Sequence, residues 1–472
     1  MPEQLQLAAT QVDDAPVGTR LLSPAPAYLI IILLLLSMLL NSLVVLVVLP
    51  STGGVLVGSP TSGENADNPD YGLRFGDLYD LIATNLAQGH GYRVEPYMGE
   101  TILREPLYPL LIAGMDKMGA NGSQWPRIFS ILLAFVAALM LLRLTRKITG
   151  NSSIALIASL LFLLYPGTLV AESRAGNEMP CVAGMLLFIL VLHQAVEKAS
   201  LWLFAAAGFV LGVTALVRSE VLMFPLFLGV YFLFSSKGWG ARGKAVLWMM
   251  VLGASTLVAM SPWIIRNYLL VHEFVPTDTL SGVAAQEGLF TCENLSQYDS
   301  FSLAQRAAGR ERAEIATQLG LRFEGAYYYQ FFFNPQDEMK FNRALLNQVS
   351  ETYRSNPRIL AGCSTENLVF KFWFLGKTPR STRLNMLVQL PLIVCALGGI
   401  VVLYKLGLMQ NAAFVLLYIA YIPIIHAPII AHARHSTLVI AFMTIPISVF
   451  LAWAWHSLRT HSLRMHSLSS EG

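Results

Sequence analysis

Charge is scarce in this chain. Only 13% of its 472 residues are Asp, Glu, Lys or Arg, where a soluble protein carries about 25%, and the shortfall excludes an ordinary water-soluble enzyme. Cysteine is scarce too. Four residues without close pairing exclude a disulfide scaffold, a structural zinc module and thioredoxin-type chemistry. A surplus of one sign is also missing: the formal net charge is +3, and the scattered Lys and Arg residues make a nucleic-acid partner unexpected. No internal repeat of the kind that builds inverted-repeat transporters is evident.

What is abundant is apolar sequence, 55% of the chain at a mean hydropathy of +0.55. Its arrangement in runs of bilayer-spanning length points to one all-α polytopic membrane domain rather than several soluble ones. The run at 27–49 is long enough to cross about 30 Å of hydrocarbon and reads as an uncleaved anchor. Further spans are expected near 127–144, 153–171, 180–196, 201–217, 221–235, 245–262, 385–404, 411–430 and 436–455, about ten crossings in all. The stretch Leu107–Met118 reads as a short or re-entrant helix. Arg143, Arg146, Lys147, Lys198, Lys237, Arg242, Lys244, Lys405, Arg459 and Arg464 all fall on one side, which is cytoplasmic by the positive-inside rule.

The expected organisation follows. A cytoplasmic tail, 1–26, precedes an N-terminal transmembrane catalytic module, 27–262, that includes a first outer loop at 50–126. An extracytoplasmic cap at 263–384, C-terminal helices at 385–455 and a cytoplasmic tail at 456–472 complete the chain. The compact loops suggest a prokaryotic inner membrane, with the long loops facing the periplasm or exterior. Cys292 and Cys363 share the oxidising side, where a disulfide between them is allowed.

Ionisable residues are costly in hydrocarbon, so those at span ends mark candidate function. Most gather on the outer face: Asp70, Asp77 and Asp80 in the first loop, Glu172, Arg174 and Glu178 in the next, Arg218 and Glu220 in a hairpin, then Arg266, and Arg434 with His432 and His435. Arginines at headgroup level can bind a phosphate whose acyl chain lies in the bilayer, and a carboxylate beside them can deprotonate an acceptor. A lipid-linked phosphosugar suits that combination. Blander readings compete: a loop Asp is commonly just solvated, membrane-edge arginines snorkel to lipid headgroups, and His432 and His435 read as interfacial residues before metal ligands. The runs Tyr327–Tyr329 and Phe331–Phe333 read as an interfacial belt or the core of the cap before a sugar platform.

The order of the motifs adds to this. The segment from Gly76-Asp77-Leu78-Tyr79-Asp80 through Gly89-His90-Gly91-Tyr92 resembles the first-loop signature of GT-C membrane glycosyltransferases. Within that group it is similar to the prokaryotic family 39 relatives of protein O-mannosyltransferases and of the lipid A aminoarabinose transferase. Arg104-Glu105-Pro106-Leu107-Tyr108-Pro109, Tyr165-Pro166 followed by Asn177-Glu178, Leu216-Val217-Arg218, Pro262-Trp263-Ile264-Ile265-Arg266-Asn267-Tyr268 and Arg434 carry the same resemblance. It implies a GT-C-like bundle of ten to eleven helices with a small cap, and an inverting transfer from a polyprenyl-phosphate sugar to a glycan, lipid or protein acceptor among membrane lipids.

By the same resemblance the catalytic residues are Asp77, Glu178 and Asp80. The spacing of the acid to Ala83 departs from the family's, leaving the base between Asp77 and Asp80, with Asp77 the better match by position. Arg218, Arg266, Arg104 and Arg434 are implied as donor-phosphate contacts, and Tyr79, Tyr108 and Asn267 as substrate contacts. His435 stands where relatives have Tyr. Some relatives use a divalent metal and others do not, and the sequence carries no ligand set that decides between them. A lipid-linked saccharide flippase, an oligosaccharide ligase of the same superfamily and a scaffold subunit are the competing functions.

Overall fold

The computed structural model describes residues 21–49, 78–119, 124–235, 239–325 and 329–470. Asp70 and Asp77 lie outside the described residues, as do Tyr327 and Tyr328. In chain order the helices are α1 (Ala27–Leu43, continued by a π turn Val44–Val48), α2 (Tyr79–Ala87), α3 (Leu107–Lys117), α4 (Gln124–Thr149), α5 (Ser152–Leu164), α6 (Pro166–Arg174), α7 (Glu178–Glu197), α8 (Leu201–Ala215), α9 (Phe224–Ser235) and α10 (Trp239–Val271). After these come α11 (Ser281–Asn294), α12 (Phe301–Gln318), a two-stranded hairpin pairing β1 (Phe323–Glu324) with β2 (Phe331–Phe332), α13 (Pro335–Ser355), α14 (Pro357–Glu366), α15 (Pro379–Lys405), α16 (Met409–His426) and α17 (Thr437–Ser470).

Helices α1, α4, α7, α10, α15, α16 and α17 are each long and apolar enough to cross a membrane, and α5 with α6 forms a bent pair that can act as an eighth span. The protein is an integral membrane protein with several passes. Two further crossings read from the sequence fall on α8 and on Ser219–Ser235, which are shorter apolar helices. At 1.5 Å per residue the 15 residues of α8 reach roughly 22 Å, less than the about 30 Å of a hydrocarbon core.

Where lipid replaces water, helices associate through close packing and backbone approach more than through hydrophobic expulsion. Gly208 and Gly212 of α8 provide this against α10: a Cβ on either would fall on the carbonyl of Leu252 or Thr256. Thr256 Oγ1 donates to the Gly208 carbonyl at 3.0 Å and Ser255 Oγ to the Ala205 carbonyl at 2.6 Å. Helix α5 packs between α4 and α17, and α17 also packs along α15. The stretch 437–449 of α17 is buried, whereas α1 exposes Leu35, Leu36 and Leu39, as expected of a central and a peripheral helix.

The turns divide between two ends. At one, Lys147 of α4 meets Glu197 of α7 at 2.6 Å. At the other, the chain between α10 and α15 forms a helical cap whose α11 and α14 are joined by the disulfide Cys292–Cys363, whose halves are 71 positions apart in sequence. Closing a loop of that length restricts the unfolded chain by roughly 4 kcal/mol in the chain-entropy account.

The cap reaches both the first loop and the last inter-helix turn. Glu338 of α13 accepts from Thr101 Oγ1 at 2.5 Å and from the Ile102 N–H at 2.9 Å, and the Gly99 N–H donates to the Phe333 carbonyl at 3.1 Å. Toward the C-terminus, Asn367 donates to the carbonyls of Ala427 and Ile429 at 2.9 and 2.8 Å, and the Ile430 N–H donates to Ala284 O at 3.1 Å. First loop and last turn are thereby held over the same end of the bundle.

Burial pushes the Glu338 carboxyl up to about 7 against the lowering effect of its two hydrogen bonds. The free side chain titrates near about 4.3, so between those values the folded state holds a proton that the unfolded chain has released. Its stabilisation is fully present below this window and is lost as pH rises through the folded value. Protection of α13 amides against hydrogen exchange should therefore fall from about pH 5 to 7, by up to about 1.4 kcal/mol per pH unit. Glu338→Gln should flatten that slope; an unchanged slope would assign it to another group.

Candidate active site at the cap end of the bundle

The site begins where a helix is interrupted. Proline disfavours helical backbone in the residue before it, and Tyr165 is extended ahead of Pro166, so α6 leaves α5 at 50°. The break frees carbonyls that hydrocarbon would penalise. Asn41 of α1 answers by donating to Leu163 O and to Glu172 Oε1, both at 3.2 Å. Helix α6 then ends on Ala175 in the left-handed region, φ 48°, and the Tyr108 hydroxyl donates to its carbonyl. This brings Asn177 and Glu178 to the start of α7, buried at the end of the bundle.

Glu178 is the centre of the charge arrangement. Its Oε1 accepts from Arg434 Nε and lies 3.7 Å from Arg218 Nη1, so one carboxylate with 3% side-chain exposure stands between two guanidinium groups. Arg218 also donates to Asn177 Oδ1 at 2.9 Å and grips Glu220 twice, at 2.6 and 3.2 Å. Asn177 Nδ2 donates to the Tyr79 hydroxyl at 2.8 Å, and that hydroxyl donates to Glu105 Oε2 at 3.0 Å. Arg104 lies over the Tyr79 ring, 5.0 Å from its centroid, and over Tyr329 at 5.1 Å. Tyr108 meets the Tyr79 ring edge-on at 5.3 Å.

Of the residues expected from the sequence, Tyr79, Arg104, Tyr108, Glu178, Arg218 and Arg434 thus come together. Asp80 is buried in the first turn of α2, beside Tyr79 in the chain. Arg266 and Asn267 stand in a neighbouring cluster. Arg266 donates to Thr101 O at 2.9 Å and to Glu100 at 3.1 Å while lying over Trp263 and Tyr92, and Asn267 donates to Val275 O at 3.0 Å. The Gly89-His90-Gly91-Tyr92 motif has a conformational role: both glycines have positive φ, Asn85 bonds the carbonyls of Arg93 and Val94, and the Tyr92 hydroxyl reaches those of Arg104 and Glu105.

Three site residues carried no role in the sequence reading. Glu105 lay inside the Arg104-Glu105-Pro106 motif, yet its oxygens anchor Tyr79 and both the N–H and hydroxyl of Ser219. Tyr329, which accepts from Arg104 at 2.9 Å, was visible only as part of an aromatic run. Asp278 sits in the loop after α10, and nothing local separates it from other loop acids. Burial and the charge of Glu105 push its carboxyl well up, against Leu280 N–H, Ser219 and Arg104, which pull it down. Among the described residues, the group with metal-ligand spacing is Glu220, His426 and His435.

A buried carboxylate shared by two arginines couples them: with Glu178 removed, both guanidinium groups lose a charge partner in a poorly solvated place. Chemically, the cluster offers guanidinium donors to an anion, and Arg434, with 26% of its side chain exposed, is more accessible than Arg218 at 11%. Glu178→Gln and Arg434→Gln should each lower the thermal stability of the protein in detergent, and the double variant should lose less than their sum. The expected coupling is on the order of 1 kcal/mol. Additive losses would contradict the pairing.

No curated protein and no solved structure matches the chain. Residues 104–265 match the family model described as dolichyl-phosphate-mannose-protein mannosyltransferase. The matched stretch, about a third of the chain, runs from Arg104 through Tyr108, Asn177, Glu178 and Arg218 to the middle of the Trp263–Asn267 motif, and over it the chain is similar to that family of membrane glycosyltransferases.

Proposed function

We propose that the protein transfers a sugar from a polyprenyl-phosphate monosaccharide to a glycan, lipid or protein acceptor on the extracytoplasmic face of a prokaryotic inner membrane. The observation that carries this reading is the linked set Arg104–Tyr79–Asn177–Arg218–Glu178–Arg434 at the end of the apolar helices, under the cap. A lipid phosphate needs cationic donors at headgroup depth with apolar helix surface continuing beneath them. This end of the bundle offers both. The charge pattern of the short turns supports an extracytoplasmic orientation, and the name of the matched family supports a lipid-phosphate donor.

In this mechanism the acceptor oxygen attacks the anomeric carbon in line with the phosphate oxygen. The bond from acceptor oxygen to carbon forms as the bond from carbon to phosphate oxygen breaks, so the configuration inverts. The acceptor proton passes to the carboxylate of Asp77 or Asp80, and the electron pair leaves on the polyprenyl phosphate. The departing group is already a stable anion, so electrostatic stabilisation by Arg218, Arg434 and Arg104 is sufficient without a general acid. Glu178 holds the two arginines and serves as the second acid, which orients the acceptor. Tyr79 and Tyr108 flank the sugar, while Arg266 and Asn267 fix the loop that presents Arg104.

The test is sugar transfer by the purified protein in nanodiscs from radiolabelled polyprenyl-phosphate mannose, glucose, galactose and arabinose. Loss of a general base typically costs 10²–10⁴-fold. One of Asp77→Asn and Asp80→Asn should lose about that much, and Glu178→Gln should lose donor turnover more moderately. If no donor is consumed, or all three variants equal the wild type, the proposal fails.

A further inference from the structure

The turn between α16 and α17 holds a second cluster, on the far side of Arg218 from Asn177. His426 closes α16 with its ring buried. Its Nδ1 lies 3.0 Å from the Ile430 carbonyl oxygen, and a carbonyl can only accept, so Nδ1 carries a hydrogen. In the neutral ring Nε2 is then a bare lone pair. That Nε2 is buried without a hydrogen-bond partner and faces Glu220 Oε1 at 3.7 Å. Two acceptors facing each other in a buried place repel unless a positive charge stands between them. His435 stacks on His426, with centroids 4.1 Å apart and planes at 16°, and its Nδ1 is likewise buried without a partner. One ligand atom from each of Glu220, His426 and His435 lies within 4.8 Å of the others.

We propose that Glu220, His426 and His435 form a binding site for a divalent transition metal of the zinc type, which ties the turn after α8 to the turn before α17. Two imidazole nitrogens and one carboxylate oxygen suit zinc and its first-row neighbours and are a poor set for magnesium or calcium, which prefer oxygen. Tetrahedral ligands at about 2.0–2.1 Å from zinc stand roughly 3.3 Å apart, so the Glu220–His426 pair at 3.7 Å is close to that spacing, and His435 offers its ligand atom from within 4.8 Å of both. The outer contacts are those a ligated site uses. A backbone carbonyl fixes the tautomer of His426, and Arg218 holds both oxygens of Glu220. The Ile430 segment is itself pinned by Ala284 and Asn367 of the cap.

The competing account is a protonated His426 paired directly with Glu220. Untagged full-length protein in nanodiscs would be stripped with chelator and reloaded with Zn2+ alone or Co2+ alone. The wild type should then hold about one equivalent of metal per chain by mass spectrometric elemental analysis and show the visible bands of low-coordinate Co2+. His435→Gln should weaken Zn2+ at least tenfold in competition with a chromophoric chelator. His435→Cys should restore binding and add a thiolate-to-cobalt charge-transfer band. Because Glu220→Gln also removes one of the carboxylates that Arg218 pairs with, the His435 variants carry the test. Less than about a tenth of an equivalent in the wild type leaves only the ion pair. Equal Zn2+ binding by wild type and His435→Gln assigns the metal to other groups, such as the tail histidines His456, His461 and His466. Either result overturns the proposal.

Discussion

A carboxylate with almost no solvent contact at the edge of a bilayer cannot remain charged alone, and the position of Glu178 answers to that constraint. It requires cations from elsewhere in the chain, and Arg218 and Arg434 are delivered by two separate inter-helix turns. Each of those turns must stop at the same depth as the start of α7. The proline break at Tyr165–Pro166, the left-handed Ala175 and the Asn41 bridge set that depth for Glu178. Satisfying one charge thus aligns α1, α7, α8, α16 and α17 at their cap ends.

The cap extends the same logic to the polar loops. Its contacts combine hydrogen bonds, those of Glu338 with the first loop and of Asn367 and Ala284 with the last turn, with apolar clusters that Phe331 shares with Tyr92 and Val94 and that Leu289 and Val349 share with Ile429. They hold Arg104, which no transmembrane helix carries, next to Tyr79 and within the network of the buried arginines. In the bundle below, close backbone approach at Gly208 and Gly212 locks α8 to α10, and α8 leads directly into Arg218.

Sequence reading reached the features whose signal is local. Apolar run length located the helices, and the 27–49 run coincides closely with Ala27–Val48. The motif glycines Gly89 and Gly91 occupy positive φ, for which glycine is the least strained residue. The Cys292–Cys363 pairing, which the sequence allowed on one side without deciding it, is formed in the structure. Less legible were features set by contacts distant in sequence. The short reach of α8 depends on the chain leaving the helix at Leu216, whereas the apolar run continues to Val217. Asp278 and Tyr329 are ordinary loop residues until Glu105 and Arg104 are brought beside them. His426 was hidden inside an apolar span, and only the fold pairs it with Glu220 and His435. Asp77, the first-loop acid best matched by position, lies outside the described residues, so its place in the chemistry rests on its motif and on the proposed assay.

The central claim is that the arginines around Glu178 receive a lipid phosphate. Native mass spectrometry can measure this without knowing the sugar or the acceptor, by comparing the binding of polyprenyl phosphate with that of the same polyprenol lacking phosphate. The account predicts that the wild type prefers the phosphate by at least about tenfold, close to 1.4 kcal/mol, and that Arg218→Gln and Arg434→Gln each remove most of that preference. Equal binding of the two lipids by the wild type would contradict it.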